Sequence, residues 1–255
     1  MELVGANVLI TGGGGGLGKA LARAFIEAGS AVTTVDLRDA DLELDVTDTA
    51  AMATAIAGMS RLDVVVANAG VGFGGFAHEV PVAAWQRTID VNVSGVVNTV
   101  LPAYERMRTQ GRGSIVLMAS LAGIAATPLL TPYSMSKFAI VGLGANLRPE
   151  AALHDVGVTT VCPGPIETPL LDATPCSEGF SVRRYLTAVA GAPLSADAVG
   201  AKVVSAVRAN RALVVPGRAA TLARAARFAP RLTARVIQSA MRREIAHATR
   251  STAST

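Results

Sequence analysis

A tyrosine and a lysine four residues apart could act as an acid–base pair. Tyr133 and Lys137 stand at the start of a predicted helix over 132–153, and residues at this spacing share one face of a helix. An ammonium group close to a phenol favours the phenolate, so Lys137 is expected to lower the pKa of Tyr133 from its usual value of about 10. A hydroxyl group, Ser120, comes 13 residues earlier, just after a predicted strand over 114–118. Because Tyr-x-x-x-Lys is frequent by chance, its meaning depends on the elements around it.

A glycine-rich turn could bind a phosphate. Residues 11–18 read TGGGGGLG and lie between a predicted strand and a predicted helix. A phosphate can approach the backbone where side chains are missing, and the N-terminus of a helix offers free N–H groups and a partial positive charge. Gly12, Gly16 and Gly18 match the glycines that make the tight turn, admit the pyrophosphate and pack the helix. A flexible glycine turn is the alternative, but the strand–turn–helix context favours a dinucleotide site.

An acidic residue indicates which dinucleotide binds. Asp36 ends the second predicted strand, 18 residues after Gly18. A carboxylate at that point accepts hydrogen bonds from the adenosine ribose hydroxyls and repels a 2′-phosphate. No Lys or Arg occupies 13–16, although Arg38 lies near enough to offset part of the repulsion. We therefore expect the cofactor to be NAD rather than NADP.

Short apolar runs alternate with segments of helical periodicity. The predicted strands cover 8–10, 31–35, 63–67, 114–118, 158–162 and 213–215, and the predicted helices cover 17–28, 47–57, 82–108, 132–153 and 196–209. Strands that are apolar along their whole length are typical of a parallel sheet covered on both faces. The pattern predicts a three-layer α/β fold, a Rossmann-type doubly wound parallel sheet. We expect one domain over 1–217, with 163–195 as a substrate lid, and a basic helical extension over 218–255.

The chain resembles the short-chain dehydrogenase/reductase family over about residues 5–217. Six motifs carry the resemblance in order: the Thr-Gly-x-x-x-Gly-x-Gly turn at 11–18, Asn68-Ala69-Gly70, Asn92 within Val91-Asn92-Val93, Ser120, Tyr133 with Lys137, and PGPIET at 163–168. Six motifs in the family's order make a chance match very improbable.

The resemblance implies a role for each of four side chains. Tyr133 would be the general acid/base, and Ser120 would hydrogen-bond the substrate oxygen. Lys137 would hold the nicotinamide ribose and lower the pKa of the tyrosine. Asn92 would anchor a water that relays protons from Lys137 to solvent. The implied cofactor contacts are Tyr133 and Lys137 together with Gly12, Gly14, Gly15, Gly16, Leu17, Gly18, Asp36, Leu37, Asp45, Val46, Asn68, Ala69, Gly70, Pro163, Gly164 and, at the nicotinamide carboxamide, Ile166 and Thr168.

Two features depart from the family pattern. Only eight residues separate Asp36 from Asp45, the residue that with Val46 would meet the adenine. Most relatives have a helix in this interval, so the adenine edge should be more open and the strand over 42–44 short. The serine that usually precedes the catalytic one is Ala119 here, which removes a supporting hydroxyl.

The predicted reaction is the NAD(H)-dependent interconversion of a secondary alcohol and its ketone. Tyr133 takes the hydroxyl proton while the cofactor takes the hydride. A dehydratase or epimerase would normally be longer, and enoyl reductases of this family space the tyrosine and lysine more widely. A catalytically inactive NAD-sensing regulator remains the alternative, but such a protein should lack the tyrosine or the lysine.

Apolar residues are expected to wall the substrate site. The candidates are Leu121, Ile124, Leu129, Leu130, Leu170, Leu171, Phe180, Tyr185 and Leu186. Apolar pockets exclude water and favour apolar ligands. We expect a hydrophobic alcohol or ketone as substrate, and a lid over 166–195 that becomes ordered on binding.

Composition excludes several other classes of protein. Two cysteines and three scattered histidines favour neither a disulfide scaffold nor a zinc site, so no metal is expected. No apolar run reaches the roughly 18 residues of a membrane span, and no signal peptide is evident, so the predicted location is the cytoplasm. Residues 1–217 carry a net charge of −3, which argues against nucleic acid as a partner.

The basic charge is concentrated at the end of the chain. Residues 218–255 carry a net charge of +7. A predicted helix over 230–247 places apolar residues at helical spacing, namely Leu232, Val236, Ile237, Ala240, Met241 and Ile245. This stripe could pack on the protein itself, or the basic helix could contact an anionic membrane surface. Relatives usually form homodimers or homotetramers through the helices at 82–108 and 132–153, and the same is expected here.

Overall fold

Seven parallel strands form the sheet at the centre of the molecule, in the order β3-β2-β1-β4-β5-β6-β9. The computed structural model describes residues 1–252, the last four by their backbone alone. The strands are β1 (Asn7–Thr11), β2 (Ala31–Asp36), β3 (Leu42–Glu43), β4 (Val64–Ala67), β5 (Gly113–Met118), β6 (Val156–Val161), β7 (Ile166–Glu167), β8 (Leu194–Ser195) and β9 (Leu213–Val214). The pair β7 and β8 forms a separate small parallel sheet.

Helices cover both faces of the sheet. They are α1 (Gly16–Glu27), α2 (Thr49–Gly58), α3 (Val82–Ile89), α4 (Gly95–Gln110), α5 (Thr131–Ala152), α6 (Leu170–Ala173), α7 (Val182–Ala190), α8 (Ala196–Arg208), α9 (Ala219–Phe228) and α10 (Pro230–Thr252). One apolar core joins α2, α4 and α5 to the sheet, and a second joins α1 and α8 to its other face. The predicted three-layer, doubly wound fold is confirmed.

The strand order reverses between β1 and β4. β1 pairs with β2 on one side and with β4 on the other, so the loops that follow these strands diverge. Ligands of open α/β sheets bind in the crevice beyond the carboxyl ends of the strands at such a point. The turn after Thr11 and the loop after Ala67 both open into this crevice, which places the glycine-rich turn next to Asn68.

The predicted helix over 82–108 is interrupted. A π-helical turn, Asp90–Ser94, lies between α3 and α4, and the Gly95 N–H donates to the Asp90 carbonyl five residues back. The sequence pattern predicts one continuous helix over 82–108 and gives no sign of this turn. Asn92 lies inside it and is buried. π turns occur frequently at functional sites.

The short strand predicted over 42–44 is confirmed. β3 is two residues long and pairs with the end of β2. No helix separates β2 from β3, and this two-residue strand forms the edge of the sheet.

The C-terminal helices form as predicted, but only part of their apolar stripe is buried. Ile237 and Ala240 of α10 are buried, whereas Leu232 and Val236 are 61% and 50% exposed. Part of the tail therefore packs on the protein itself, and part of its apolar surface faces outward. Residues 253–255 lie outside the described residues, and no helix in the described chain is long and apolar enough to cross a membrane.

Candidate active site

Tyr133 and Ser120 meet at the carboxyl end of the sheet. Ser120 follows β5 and caps a short 3₁₀ turn, with its Oγ accepting a hydrogen bond from the Ala122 N–H at 3.1 Å. Tyr133 lies in the first turn of α5 and contacts the Ser120 hydroxyl. Burial raises the pKa of the Tyr133 phenol, and the hydrogen bond with Ser120 opposes this only in part. The phenol is therefore protonated at neutral pH and can serve as a proton donor.

Lys137 lies close to the tyrosine ring, but its ammonium group hydrogen-bonds a backbone carbonyl and not the phenol. Its Nζ donates to the Met118 carbonyl at 2.9 Å and lies 5.6 Å from the centroid of the Tyr133 ring. Burial lowers the pKa of Lys137 to about 8. The expectation that Lys137 lowers the pKa of Tyr133 is wrong for the polypeptide by itself. Burial raises the pKa of the phenol, and the ammonium hydrogen-bonds the Met118 carbonyl instead of the phenol.

Asn92 ties the π turn to the loop after β4. Its Oδ1 accepts from the Val71 N–H and its Nδ2 donates to the Val71 carbonyl, both at 2.8 Å. The same amide donates to Ser136 Oγ at 2.9 Å. A methyl group added at Gly70 would lie 3.3 Å from Asn92 Oδ1 and 3.4 Å from Lys137 Nζ. Asn92 thus lies behind Gly70, next to Lys137, and not in the wall of the main cavity.

The glycine-rich turn is closely packed. Gly12 has a φ of +68°, and a Cβ there would lie 2.8 Å from the Ala69 Cα. A Cβ on Gly18 would lie 2.0 Å from the Gly12 carbonyl oxygen. Neither position accepts a side chain, because the turn folds against both the loop after β4 and the first turn of α1. Helix α1 begins at Gly16 with no side-chain cap, so its N-terminus is suited to hold an anion such as a pyrophosphate.

Asp36 lies at the end of β2, where the adenosine ribose is expected. Its Oδ2 accepts from the Gly14 N–H at 3.0 Å, and its Oδ1 accepts from the Leu37 N–H at 2.7 Å. Gly14 holds the carboxylate in place and does not itself line the cavity. This carboxylate and the bare helix N-terminus fit the ribose and pyrophosphate of a nicotinamide dinucleotide.

Asp45, which is predicted to meet the adenine, already has hydrogen-bond partners within the protein. It accepts from the N–H and the hydroxyl of Thr47, and its Oδ2 lies 3.7 Å from the Arg87 guanidinium. Burial alone would raise the pKa of Asp45, but Thr47 and Arg87 together hold it below its usual value. The carboxylate is therefore charged and fixed next to Val46, which also lines the cavity.

One continuous cavity runs from the adenine edge past Tyr133. Apart from Gly14 and Asn92, every residue predicted for catalysis or cofactor binding lines it: Gly12, Gly15, Gly16, Leu17, Gly18, Asp36, Leu37, Asp45, Val46, Asn68, Ala69, Gly70, Ser120, Tyr133, Lys137, Pro163, Gly164, Ile166 and Thr168. Residues from seven separate stretches of the chain thus converge on one space.

The far end of the cavity is apolar. Of the nine predicted wall residues, five line it: Leu121, Leu130, Leu170, Leu171 and Leu186. The prediction is wrong for Ile124, Leu129, Phe180 and Tyr185. These four pack into neighbouring apolar clusters. Tyr185 is fully buried, since it lies about 100° around α7 from Leu186 and packs against neighbouring apolar residues.

Comparison with known proteins places this arrangement in a family. A family model for short chain dehydrogenases matches residues 38–178. The chain is 32% identical over 192 residues to a 3-alpha-(or 20-beta)-hydroxysteroid dehydrogenase of Mycobacterium tuberculosis, covering 68% of this chain and 74% of the relative. The chain belongs to the short-chain dehydrogenase family.

Two further short-chain dehydrogenases show the range of relatives. A 2-dehydro-3-deoxy-L-rhamnonate dehydrogenase (NAD(+)) of Sphingomonas sp. is 33% identical over 192 residues, which cover 68% of this chain and 77% of the relative. The crystal structure of a short chain dehydrogenase from Burkholderia cenocepacia in complex with NADP has a TM-score of 0.79 at 23% identity, and the match covers 92% of this chain and 99% of that one. That likeness shows the shared fold.

Several lining residues of this short-chain dehydrogenase were not predicted. Arg87 lies on α3 at the adenine edge, Val182 and Val189 lie on α7, and Leu222 lies on α9. Helical spacing offered a signal for the α7 pair, since positions seven apart share a face with Leu186 between them. Nothing in the sequence connected Leu222 to the site, because it follows the last strand of the sheet and lies beyond the family's motifs.

Proposed function

We propose that this protein interconverts an apolar secondary alcohol and its ketone with NAD(H), using Tyr133 as the acid/base. One observation carries the proposal. A partly buried phenol, protonated at neutral pH, touches the Ser120 hydroxyl at the point where the glycine-lined part of the cavity meets its apolar part. A carbonyl group placed there would receive a hydrogen bond and a proton from adjacent side chains.

The roles of the side chains follow from their environment. In the reducing direction Ser120 orients the carbonyl oxygen and Tyr133 donates its proton to it. The nicotinamide cofactor, when bound, supplies or accepts the hydride. Lys137 lies within reach of the phenol and of the space behind Gly70, so it can return a proton to Tyr133 after each turnover. Asn92, which borders that space, is proposed to anchor the water that connects Lys137 to solvent.

Asp36 supports NAD as the cofactor. The carboxylate is held by two backbone N–H groups at the ribose end of the cavity, and a 2′-phosphate would bring a second negative charge beside it. The relatives include one named for NAD(+) and a structural neighbour in complex with NADP, so the preference rests on Asp36.

The apolar end of the cavity supports a hydrophobic substrate. Its walls are mainly leucine, valine and alanine side chains from the loop after β5, from α6 and α7, and from α9, with the threonines Thr127 and Thr174 among them. Of the relatives, one is named for a hydroxysteroid and one for a sugar acid. The walls here favour a steroid-like, aryl or aliphatic substrate over a charged one.

Self-association through α4 and α5 is proposed as well. Leu101, Met135 and Phe138 are large apolar residues of these helices, and each is about half exposed. Covering them in a homodimer or homotetramer would remove this surface from water. A cytoplasmic location is proposed with it.

The tail offers a further contact surface. Phe228, Leu232 and Val236 are exposed and recur every four residues, with Arg231 and Arg235 beside them. Such a surface suits peripheral contact with an anionic membrane.

The test is turnover of a panel of secondary alcohols with NAD⁺, followed by NADH absorbance. The panel contains 2-alkanols, 1-phenylethanol and 3-hydroxysteroids, with sugar acids as the polar comparison. We expect activity on the apolar compounds and higher kcat/KM with NAD⁺ than with NADP⁺. A preference for the sugar acids would contradict the proposed substrate class. Cofactor binding without turnover of any compound would favour the regulatory alternative.

A further inference from the structure

The tail contains a single acidic residue, and that residue is buried. Glu244 of α10 is 3% exposed, although seven of the eight tail arginines, whose side chains the structure describes, are exposed. Burying a carboxylate is costly unless it is paired and hydrogen-bonded. A buried acid in so basic a segment therefore indicates a specific partner.

The partner of Glu244 is the start of α7. Arg184 donates to both carboxylate oxygens, from Nε at 2.6 Å and from Nη2 at 2.5 Å. The Ser181 N–H donates to Oε1 at 2.9 Å. Ser181 is the N-cap of α7, so a side chain of the tail is hydrogen-bonded to the residue at which this helix starts.

The contact between the two segments is close as well as charged. A Cβ added at Gly179 would lie 2.8 Å from the Ala248 Cα, so the loop before α7 touches the backbone of α10. Ala240 and Met241 of α10 pack in the same apolar cluster as Tyr185. Helix α10 is therefore docked on α7 by an ion pair, a close backbone approach and apolar packing.

Helix α7 carries one wall of the cavity. Val182, Leu186, Val189 and Ala190 line it from this helix. Leu222 of α9 also lines the cavity, and it packs in the same apolar cluster as Ala190 at the end of α7. Both contributions to the wall depend on residues after 217, beyond the strand that completes the sheet.

We infer that the C-terminal helix pair completes the substrate site, with Leu222 as a specificity-determining residue and Glu244 as a positioning residue that holds α7. The inference rests on the proposed function. It adds that the size limit for the substrate is set by a segment that supplies neither cofactor contacts nor catalytic groups.

The first test changes the wall itself. Leu222→Phe adds bulk inside the cavity, and Leu232→Phe makes the same change at an exposed position of the tail. The measurement is kcat/KM with NAD⁺ for 2-alkanols from 2-butanol to 2-decanol. We expect Leu222→Phe to lower the ratio of 2-decanol to 2-butanol efficiency by tenfold or more, and Leu232→Phe to leave it unchanged. An unchanged ratio in Leu222→Phe would overturn the role of Leu222, whereas wild-type protein that turns over no alcohol would overturn the proposed function.

The second test breaks the ion pair. Glu244→Gln should raise KM for 2-decanol severalfold with a smaller change in kcat, while the Kd for NADH stays within twofold. Arg184→Gln should raise it further, because it leaves a buried carboxylate without its cation. The double variant should be no worse than Arg184→Gln alone. The matched control is Asp197→Asn, which breaks an ion pair between α8 and α1 away from the cavity.

A measurement without substrate distinguishes the positioning role of Glu244 from the proposed catalytic function. Hydrogen–deuterium exchange of 181–190 should accelerate in Glu244→Gln and stay as in wild type in Asp197→Asn. Unchanged exchange in Glu244→Gln would overturn the positioning role, whatever the alcohol kinetics show.

Discussion

The two ends of the cavity are built in different ways. At the cofactor end the wall is mainly backbone and short side chains at the carboxyl ends of β1, β2 and β4, held by hydrogen bonds such as that between Gly14 and Asp36. At the substrate end the wall consists of side chains from the loop after β5 and from α6, α7 and α9, three helices that no strand of the main sheet fixes. The first end is determined by backbone geometry and the second by how helices are docked. Substitutions should therefore act locally at the first end and through helix position at the second.

The largest effect is expected where the two ends meet. Tyr133→Phe removes the proton donor and leaves the ring, so turnover should fall by about 10²–10⁴-fold. NADH should still bind, as measured by its fluorescence, because the glycine-rich turn and Asp36 are untouched. Tyr104→Phe, which removes a phenol from α4, is the control and should keep full activity. Substantial turnover by Tyr133→Phe would mean that another group is the acid.

The pH dependence of stability tests whether Lys137 is shielded from water in the folded protein. Burial lowers its pKa from 10.5 to about 8, so between these pH values the unfolded chain binds a proton that the folded protein does not. Stability should therefore rise with pH across this window, by up to about 3 kcal/mol. The free energy of unfolding of the wild type, relative to Lys137→Met, should increase accordingly between pH 7 and pH 10.5 in urea titrations. A difference between wild type and Lys137→Met that does not change with pH would show that the lysine is hydrated.

Substituting Asp36 tests whether a change at the cofactor end affects cofactor choice alone. Asp36→Ala removes the charge that opposes a 2′-phosphate, so the ratio of kcat/KM for NAD⁺ to that for NADP⁺ should fall by about 10- to 100-fold. The order of preference among alcohols should not change. Glu43→Ala, which removes an exposed carboxylate from the adjacent edge strand, should leave the cofactor ratio as it is. Equal use of both cofactors by the wild type would refute the assignment to Asp36.

The smallest effect on folding is expected on the outer face of the tail. Phe228→Ser combined with Leu232→Ser should change the free energy of unfolding by no more than about 0.5 kcal/mol per site, since both side chains are exposed. If this face contacts membranes, the full-length protein should sediment with phosphatidylglycerol vesicles at low salt and be released as salt rises. The double variant should lose most of this binding. Leu153→Ser, at an equally exposed leucine, should keep it, and absence of binding by the wild type would exclude the membrane role.

Sequence reasoning succeeded where backbone geometry decides the outcome. The seven strands of the main sheet, with the short edge at β3, and the convergence of the glycine-rich turn, Asp36, Ser120 and Tyr133 all follow from patterns that leave little freedom. It was less successful on α7, where Tyr185 and Leu186 are neighbours with opposite fates. Which of them faces the cavity depends on how α7 is rotated, and that rotation is set by the distant Glu244.

Two further errors have physical causes of the same kind. The direction of the pKa shift of Tyr133 depends on burial, which spacing alone does not give. The role of Leu222 depends on a helix folding back over the site from beyond the last strand.

The π turn at Asp90–Ser94 has a consequence for changes in chain length. The helix from Val82 to Gln110 holds one residue more than a regular α-helix of the same span would need. Deleting one residue from α4 would rotate everything after it by about 100°, but deleting one of these five would let the turn close into a regular α-helix with both flanks in place. At this point the fold tolerates a shorter chain and the site does not, because the amide of Asn92 would no longer reach Val71.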